Sequence, residues 1–512
     1  MTQWASRDWA GAALFAAAVC VFLYIGLFNL GQPLLEQHSF RQTQTALTAY
    51  WLRINGFSLA YETPVVGFPW AIPFEFPLFQ LLAAWTASLT GLALDPAGRL
   101  VSLLASLAVC LPLYRSLRLL GVEAGAAWYA NALYLTAPTY LFWSGTFMIE
   151  GLALLLALGA SYYLLKIYCR GASGADLALF CLLLTLALLQ KVTTGAVPVL
   201  VGLAAFGWRA LADLLGGARL GSPSIRHGLA VLAAAALAFA IGYAWVRYTD
   251  AVKGHNEFGR FLTSAVLSGW NYGTLEQRFS KEFLVDVLVK RILVPSSGWC
   301  LAVLALVSVF FSRAARPLKT TAALGLVLFL VPMAIFTNLH FVHDYYQTAN
   351  LVFLMAALGV AVYAWCGLLP GRLSLLAPML MAALLAANLH FFKTLYYPTK
   401  SLRITVESSR TLKLAAFLKS KTPVDHPILI FGYDWSSEVQ YYAERKGLAV
   451  PPWTKLEMEA ARHPERFLPL LPAAIVSCPA ANAEELRAAI AERYVGSAVT
   501  EIDDCLVYLP GS

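Results

Sequence analysis

Charge is scarce in this chain. Only 13% of its 512 residues are Asp, Glu, Lys or Arg, while 59% are hydrophobic and the mean hydropathy is +0.65. A soluble domain carries about 25% charged residues, so the shortage excludes a soluble globular protein and requires a polytopic membrane protein. A clustered basic tract is also missing. The net charge of +8 is spread over short connections between apolar runs, a pattern that sets membrane orientation and excludes a nucleic-acid partner. The eight cysteines include no C-x-x-C pair, which argues against a zinc or dithiol site. Six of them (Cys20, Cys110, Cys169, Cys181, Cys300 and Cys366) lie in or beside hydrophobic runs and read as inert. No internal repeat is detectable, which weighs against a transporter built from repeated halves.

What the chain has in abundance is apolar sequence. The first run, Trp9 to Leu30, has the length of roughly 20 residues that crosses a bilayer as a helix. No small-residue cleavage site follows it, so it reads as a retained helix. Eleven helices are predicted, over 9–30, 98–118, 124–143, 146–168, 175–190, 193–210, 227–247, 293–312, 319–337, 346–366 and 373–391. Arg115 and Arg118, Lys166 and Arg170, Arg209, Arg219 and Arg226, Arg313, Arg316 and Lys319, and Arg372 fall on alternate connections, which the positive-inside rule places in the cytoplasm. The expected protein has a cytoplasmic N-terminus, a membrane domain over 1–397 and two large outer loops at 31–97 and 248–292.

Two stretches of the first outer loop have helical patterns, Thr43 to Gly56 and Pro77 to Leu92, and are expected to lie along the membrane interface. From 398 to 512 the composition becomes that of a soluble domain in which helices alternate with "HPILIFGY", "AAIVSC" and "CLVYLP". That alternation predicts a small three-layer α/β domain outside the cytoplasm. No G-x-G-x-x-G or G-K-[ST] follows its predicted strands, so nucleotide binding is unsupported. Cys478 and Cys505 bound predicted core strands, and two readings stand: a disulfide or two buried thiols.

Ionisable residues at membrane depth are functional candidates because burying charge near hydrocarbon is costly. Here they include Glu36, His38 and Arg41 after the first helix, Glu75 in "IPFEFPLFQ", Glu150 in "WSGTFMIEGLALL", Lys191 in "LLQKVTTG", and His343 and Asp344 in "NLHFVHDYYQ". On the predicted topology all lie at outer helix ends or in outer loops, where they are expected to converge on one cavity. Arg41 and Lys191 suit a lipid phosphate, and Glu36, Glu75 or Glu150 could deprotonate an acceptor. Gln42, Tyr345 and Tyr346, with His343 and Asp344, join them as substrate contacts. Each has a plainer reading as well. Lys191 could snorkel, Glu150 could answer a helix dipole, Asp344 could partner His340 or His343, and the tyrosines could anchor the interface.

The order of these segments resembles the glycosyltransferase C superfamily, in particular bacterial polyprenyl-phosphate-sugar transferases related to the protein O-mannosyltransferases and the aminoarabinose lipid A transferase. "HSFRQTQTA" is similar to the "HSWRQADTA" form of the first outer loop, "FEFPLFQLLAAW" to an E-[KF]-P-P-L-x-x-W segment and "GRLVSLLASLAVCLPLYRSLRLLG" to an "ARLPSALAALL" helix. "SGTFMIEGLALLLALGASYYLL", "QKVTTGAVPVL" and "HDYYQTANLVFLMAALG" continue the series. The resemblance implies a mainly α bundle of about eleven to thirteen transmembrane helices with periplasmic juxtamembrane helices and a small periplasmic α/β domain. It also implies inverting transfer from a polyprenyl-phosphate sugar to lipid A, a polysaccharide or a protein, at the periplasmic face of the bacterial inner membrane.

By matched position Arg41 and Lys191 would hold the donor phosphate, and Glu75 and Glu150 would take acidic positions. The chain departs from the pattern in one respect: no Asp occurs between Gln32 and Leu94. Gln44 stands where the "RQAD" form has Asp, His38 is another occupant of the aligned position, and Glu36 is the expected base ahead of Glu75. No metal site and no obligatory cofactor are expected. A divalent metal is compatible with the donor types present. The competing functions are a lipid-linked-sugar flippase or transporter and an O-antigen ligase or polymerase.

Overall fold

The structure, a computed structural model, describes residues 2–217, 222–367, 376–481 and 484–511. The chain divides into two compact units. One comprises Met1–Leu30, Ser102–Ala244 and Ser268–Lys400, the other Gly31–Val101, Trp245–Leu267 and Ser401–Ser512. Residues 31–101 and 245–267 therefore cluster with the C-terminal segment, where the sequence reading had assigned both outer loops to the membrane domain.

The first unit is helical. Among the described residues seven helices are long and apolar enough to cross a membrane, and a bent pair makes an eighth; the protein is a multi-pass membrane protein. Helix Gly174–Leu215 covers two predicted helices, 175–190 and 193–210. Between them Lys191 has extended backbone, φ −164° and ψ 100°. A β-carbon built on Gly195 would lie 3.2 Å from that of Ala187, whereas eight residues of continuous helix advance about 12 Å. The chain doubles back at Lys191, and the two predicted helices are two.

Other predicted spans require correction. Residues 124–143 break into Ala124–Thr136 and Pro138–Trp143, because Pro138 has no N–H to continue the ladder. The predicted span 346–366 begins only at Leu351, after a 3₁₀ turn over Asp344–Ala349. Residues 351–364 are all buried, so protein neighbours account for this apolar run. The predicted 293–312 span is half of a pair, Glu282–Ser296 and Leu301–Phe311, bent by 90°. The predicted outer loop 248–292 thus ends inside a helix. Arg219 and Arg372, used for orientation, lie outside the described residues.

A single apolar core joins the first helix to Ala124–Thr136 and Leu351–Gly367. The latter two approach so closely that a β-carbon at Gly359 would sit 2.5 Å from the backbone N of Ala130; only glycine fits there.

The second unit is built on a five-stranded sheet of order β2-β1-β3-β5-β4, with β1 Ile428–Phe431, β2 Gly447–Ala449, β3 Ala474–Ser477, β4 Ala498–Ile502 and β5 Cys505–Leu509. β1 is parallel to β2 and β3, while β5 is antiparallel to β3 and β4. The sequence reading found β1, β3 and β5, whose apolar runs are continuous. It missed β2, which is only three residues long, and β4, whose side chains are mostly exposed.

Residues from the 31–101 segment pack on this sheet. Val66 bridges Leu448, Thr43 Oγ1 lies 2.9 Å from Ser437 Oγ, and Glu62 pairs with Lys446 at 2.7 Å. Asn256, from the 245–267 segment, donates through its side-chain amide to the carbonyls of Val66, Gly67 and Pro69.

Cys478 and Cys505 form a disulfide across 27 residues. A cross-link of this loop length contributes about 2–4 kcal/mol, largely by restricting the unfolded chain. Cys478→Ser with Cys505→Ser is therefore expected to lower the unfolding temperature of the protein, and a reductant should reproduce the shift. An unchanged melting curve would remove the bond from the account.

Candidate active site

The helix Ser39–Asn55 begins where the chain leaves "LLEQH". His38, at its N-cap, holds φ 53° and ψ 40°, an uncommon conformation for a non-glycine residue. Its carbonyl accepts from the N–H groups of Arg41 and Gln42. His38 is thus placed as a turn residue that starts the helix and sets the direction of Arg41.

Arg41 projects from the first turn. Its Nη2 donates to both carboxylate oxygens of Glu75, at 3.2 and 3.0 Å, and its Nη1 to Gln44 Oε1 at 2.6 Å. Gln80, on the helix Leu78–Thr90, donates to Glu75 Oε1 at 2.8 Å. The backbone carrying Glu75 is pinned by Tyr61, whose hydroxyl donates to the Glu75 carbonyl and accepts from the Phe74 N–H, both at 2.7 Å. Burial, reinforced by the Glu75 charge, pushes the Tyr61 phenol well above its ordinary value. It therefore serves as a neutral donor. Side-chain exposures of 17% for Arg41 and 9% for Glu75 leave the guanidinium the more open member of the pair.

Glu36 sits differently. Arg99 meets it fork to fork, Nη1 to Oε1 at 2.6 Å and Nη2 to Oε2 at 2.8 Å, with both side chains 1% exposed. Arg99 also donates to the carbonyls of Gln32 and Pro33. At 1% exposure this carboxylate is closed to an incoming acceptor, whereas Glu75, also paired with an arginine, keeps 9%. Burial therefore favours Glu75 over Glu36 as the base, the reverse of the order expected from the sequence. Gln42 is fully buried, and its amide donates to the Gln37 carbonyl.

The remaining predicted residues belong to the helical unit. Glu150 opens the helix Glu150–Arg170 and accepts from Lys191 Nζ at 2.7 Å, with side-chain exposures of 5% and 10%. The same ammonium lies 4.0 Å from the Tyr346 ring centre and 5.4 Å from that of Tyr345. Lys191 and Glu150 thus neutralise each other at the point where the chain reverses. His343 stacks on Tyr345 at 5.1 Å. Asp344 is buried and accepts from Trp143 Nε1 at 3.3 Å and the Tyr396 hydroxyl at 2.9 Å.

Sequence reasoning missed Arg99, Gln80 and Tyr61. Arg99 was legible, since a lone Arg opening the apolar run "GRLVSLL" falls under the rule applied to the other charges. Gln80 and Tyr61 carried no signal, because Pro77 breaks the helical period between Glu75 and Gln80, and Tyr61 lies in irregular chain. Among the described residues no three His, Cys, Asp or Glu side chains are grouped to hold a metal ion.

The overall architecture matches solved structures along nearly the whole chain. ArnT from Cupriavidus metallidurans bound to undecaprenyl phosphate aligns with a TM-score of 0.62 over 98% of each chain at 14% identity. The chain shares its fold. AglB, the archaeal oligosaccharyltransferase from Archaeoglobus fulgidus in complex with an inhibitory peptide and a dolichol-phosphate, aligns at 0.60 over 98% of this chain and 74% of its own, at 13% identity. The mycobacterial arabinofuranosyltransferase AftD aligns at 0.54 over 98% of this chain and 40% of its own, at 15% identity. No protein-family model matches the sequence, and no curated protein matches it. The likeness lives in the tertiary fold.

Proposed function

We propose that the protein is a membrane glycosyltransferase that moves a sugar from a polyprenyl phosphate to an envelope acceptor, whether lipid A, a polysaccharide or a protein, with inversion at the anomeric carbon. The observation that carries this reading is the set of Arg41, Glu75, Gln44 and Gln80, a planar cation and a carboxylate held together in the first outer loop. Two solved proteins of this fold, ArnT and AglB, hold undecaprenyl phosphate and dolichol-phosphate. That supports a donor of the same chemistry here.

In this reading the acceptor's hydroxyl or amine attacks the anomeric carbon, and its proton passes to Glu75. The bond from that carbon to the phosphate oxygen breaks, and polyprenyl phosphate leaves. Arg41 is the cation for the charge that collects on the departing phosphate, since a guanidinium offers several parallel donors to phosphate oxygens. Gln80 positions Glu75 by holding Oε1, and Gln44 positions Arg41. No metal is built into the step.

The disulfide supports an oxidising compartment for the sheet-bearing unit. We therefore place transfer at the outer face of the bacterial inner membrane, with the N-terminus in the cytoplasm. Mass spectrometry of envelope lipids and glycans from a deletion strain should reveal an acceptor lacking one sugar. The purified protein should restore that sugar from a polyprenyl-phosphate donor, and should do so after chelation of divalent metal. Unaltered envelopes, together with no transfer from any polyprenyl-phosphate sugar, would reject the reading.

A further inference from the structure

A cavity of about 440 Å³ lies at the carboxyl end of the parallel strands of the sheet. It falls within the roughly 300–1,000 Å³ of small-molecule sites, and its place in the topology is specific. From β1 the chain moves to β2 on one side and then crosses to β3 on the other. The carboxyl end of β1 is thus a point where the strand order reverses, the location at which open α/β sheets hold ligands. The lining comes from all three parallel strands. Tyr433, Asp434, Trp435 and Glu438 follow β1, Glu457 follows β2, and Ala480 follows β3, with Phe40 completing the wall.

The chemistry of this lining is mixed. Phe40, Tyr433 and Trp435 present aromatic surface, and Phe40 and Trp435 lie 6.2 Å apart. Asp434 accepts from Trp453 Nε1 at 2.9 Å, and Glu438 accepts from the Ser39 hydroxyl. No hydrogen bond or charged group among the described residues acts on the Glu457 carboxyl. Among the described residues no Lys, Arg or His lines the cavity; Arg410, stacked on Tyr433, is committed to Asp504 through two contacts of 2.8 Å. Burial raises the carboxyls of Asp434, Glu438 and Glu457 above the usual range, with Ser39 and the Arg410 charge partly opposing this at Glu438.

Ionised carboxylates only accept hydrogen bonds, so the site asks for several donors arranged around an apolar face. Its present partners, an indole N–H and a hydroxyl, are neutral donors, and an anionic ligand would be repelled. We propose that this cavity is a carbohydrate-binding site that takes an uncharged, hydroxyl-rich sugar ring, stacked on Trp435 with hydroxyls donated to Asp434, Glu438 and Glu457. The site adjoins the Arg41–Glu75 pair through Phe40, which lines it, and Phe74, whose ring lies 6.3 Å from that of Trp435; its sugar contacts call on neither Arg41 nor Glu75.

The test is a glycan array probed with the full chain in uncharged nanodiscs. Neutral oligosaccharides should be retained and uronate or sulfated ones should not. Trp435→Ala and Glu438→Gln should each raise the half-saturating concentration about tenfold, the scale of a lost charge-assisted contact. Asp434→Asn, at an exposed loop position, provides a variant without core disruption and should weaken binding in the same direction. Retention of no neutral glycan, retention confined to anionic glycans, or neutral binding indifferent to all three cavity substitutions would each overturn the proposal. Spermine that binds this cavity while neutral sugars do not would assign it to cations instead.

Discussion

Glu75→Gln is expected to lower sugar transfer by about 10²–10⁴-fold, the range for removal of a general base, while the protein remains folded and in the membrane. The amide keeps the shape of the side chain and can still face Arg41 and Gln80 but cannot take up the acceptor proton. Arg41→Ala should cost about 10²–10³-fold, as for removal of a donor aimed at developing negative charge. Arg41→Lys should recover only part of that, because an ammonium lacks the planar set of donors. The measurement is transfer from a polyprenyl-phosphate sugar, with the melting temperature recorded for each variant. Near-normal turnover in Glu75→Gln would remove Glu75 from the chemistry. A loss matched by unfolding would make the pair structural.

The second large effect concerns stability. Breaking one side of the Glu36–Arg99 pair is expected to cost about 3–5 kcal/mol, because the surviving charge stays buried without its partner. Arg99→Met should be the most damaging single change, since it leaves a carboxylate that is 1% exposed with no counter-charge. Replacing both, as Glu36→Leu with Arg99→Met, should be far milder than either single change, because a hydrophobic pair of similar volume bears no desolvation cost. Thermal unfolding in detergent of the two single variants and the double variant measures the coupling. A Glu36→Gln protein that melts normally but has lost transfer would reverse the assignment and return Glu36 to the role of base.

These two predictions separate residues that sequence reasoning could not tell apart. Glu36 and Glu75 are both carboxylates flanked by apolar sequence near the first helix, and the nearer one looked the better base. The difference between them is a neighbour 63 residues away: Arg99 closes on Glu36 in a dry, bidentate contact. Glu75 meets an arginine that keeps more exposure and is shared with Gln44. The Glu150–Lys191 pair teaches the same lesson across 41 residues. Each residue was picked out correctly as costly to bury, but their mutual neutralisation depends on the chain reversing at Lys191.

By itself the sequence determined the membrane class, most helix positions, the two helices within 31–97, the three apolar strands near the C-terminus and the resemblance that points to the fold. All of these follow from local hydropathy, periodicity and spacing, which are properties of neighbouring residues. Tertiary structure alone decided which apolar residues meet protein, as with the wholly buried 351–364, because lipid and protein interior select the same side chains. It also decided the strand order that creates a crevice beside β1, the union of Cys478 with Cys505, and the partner of each buried charge. Those are long-range pairings, and the free energy of a charge depends on what lies a few ångströms from it in space, wherever that group stands in the chain.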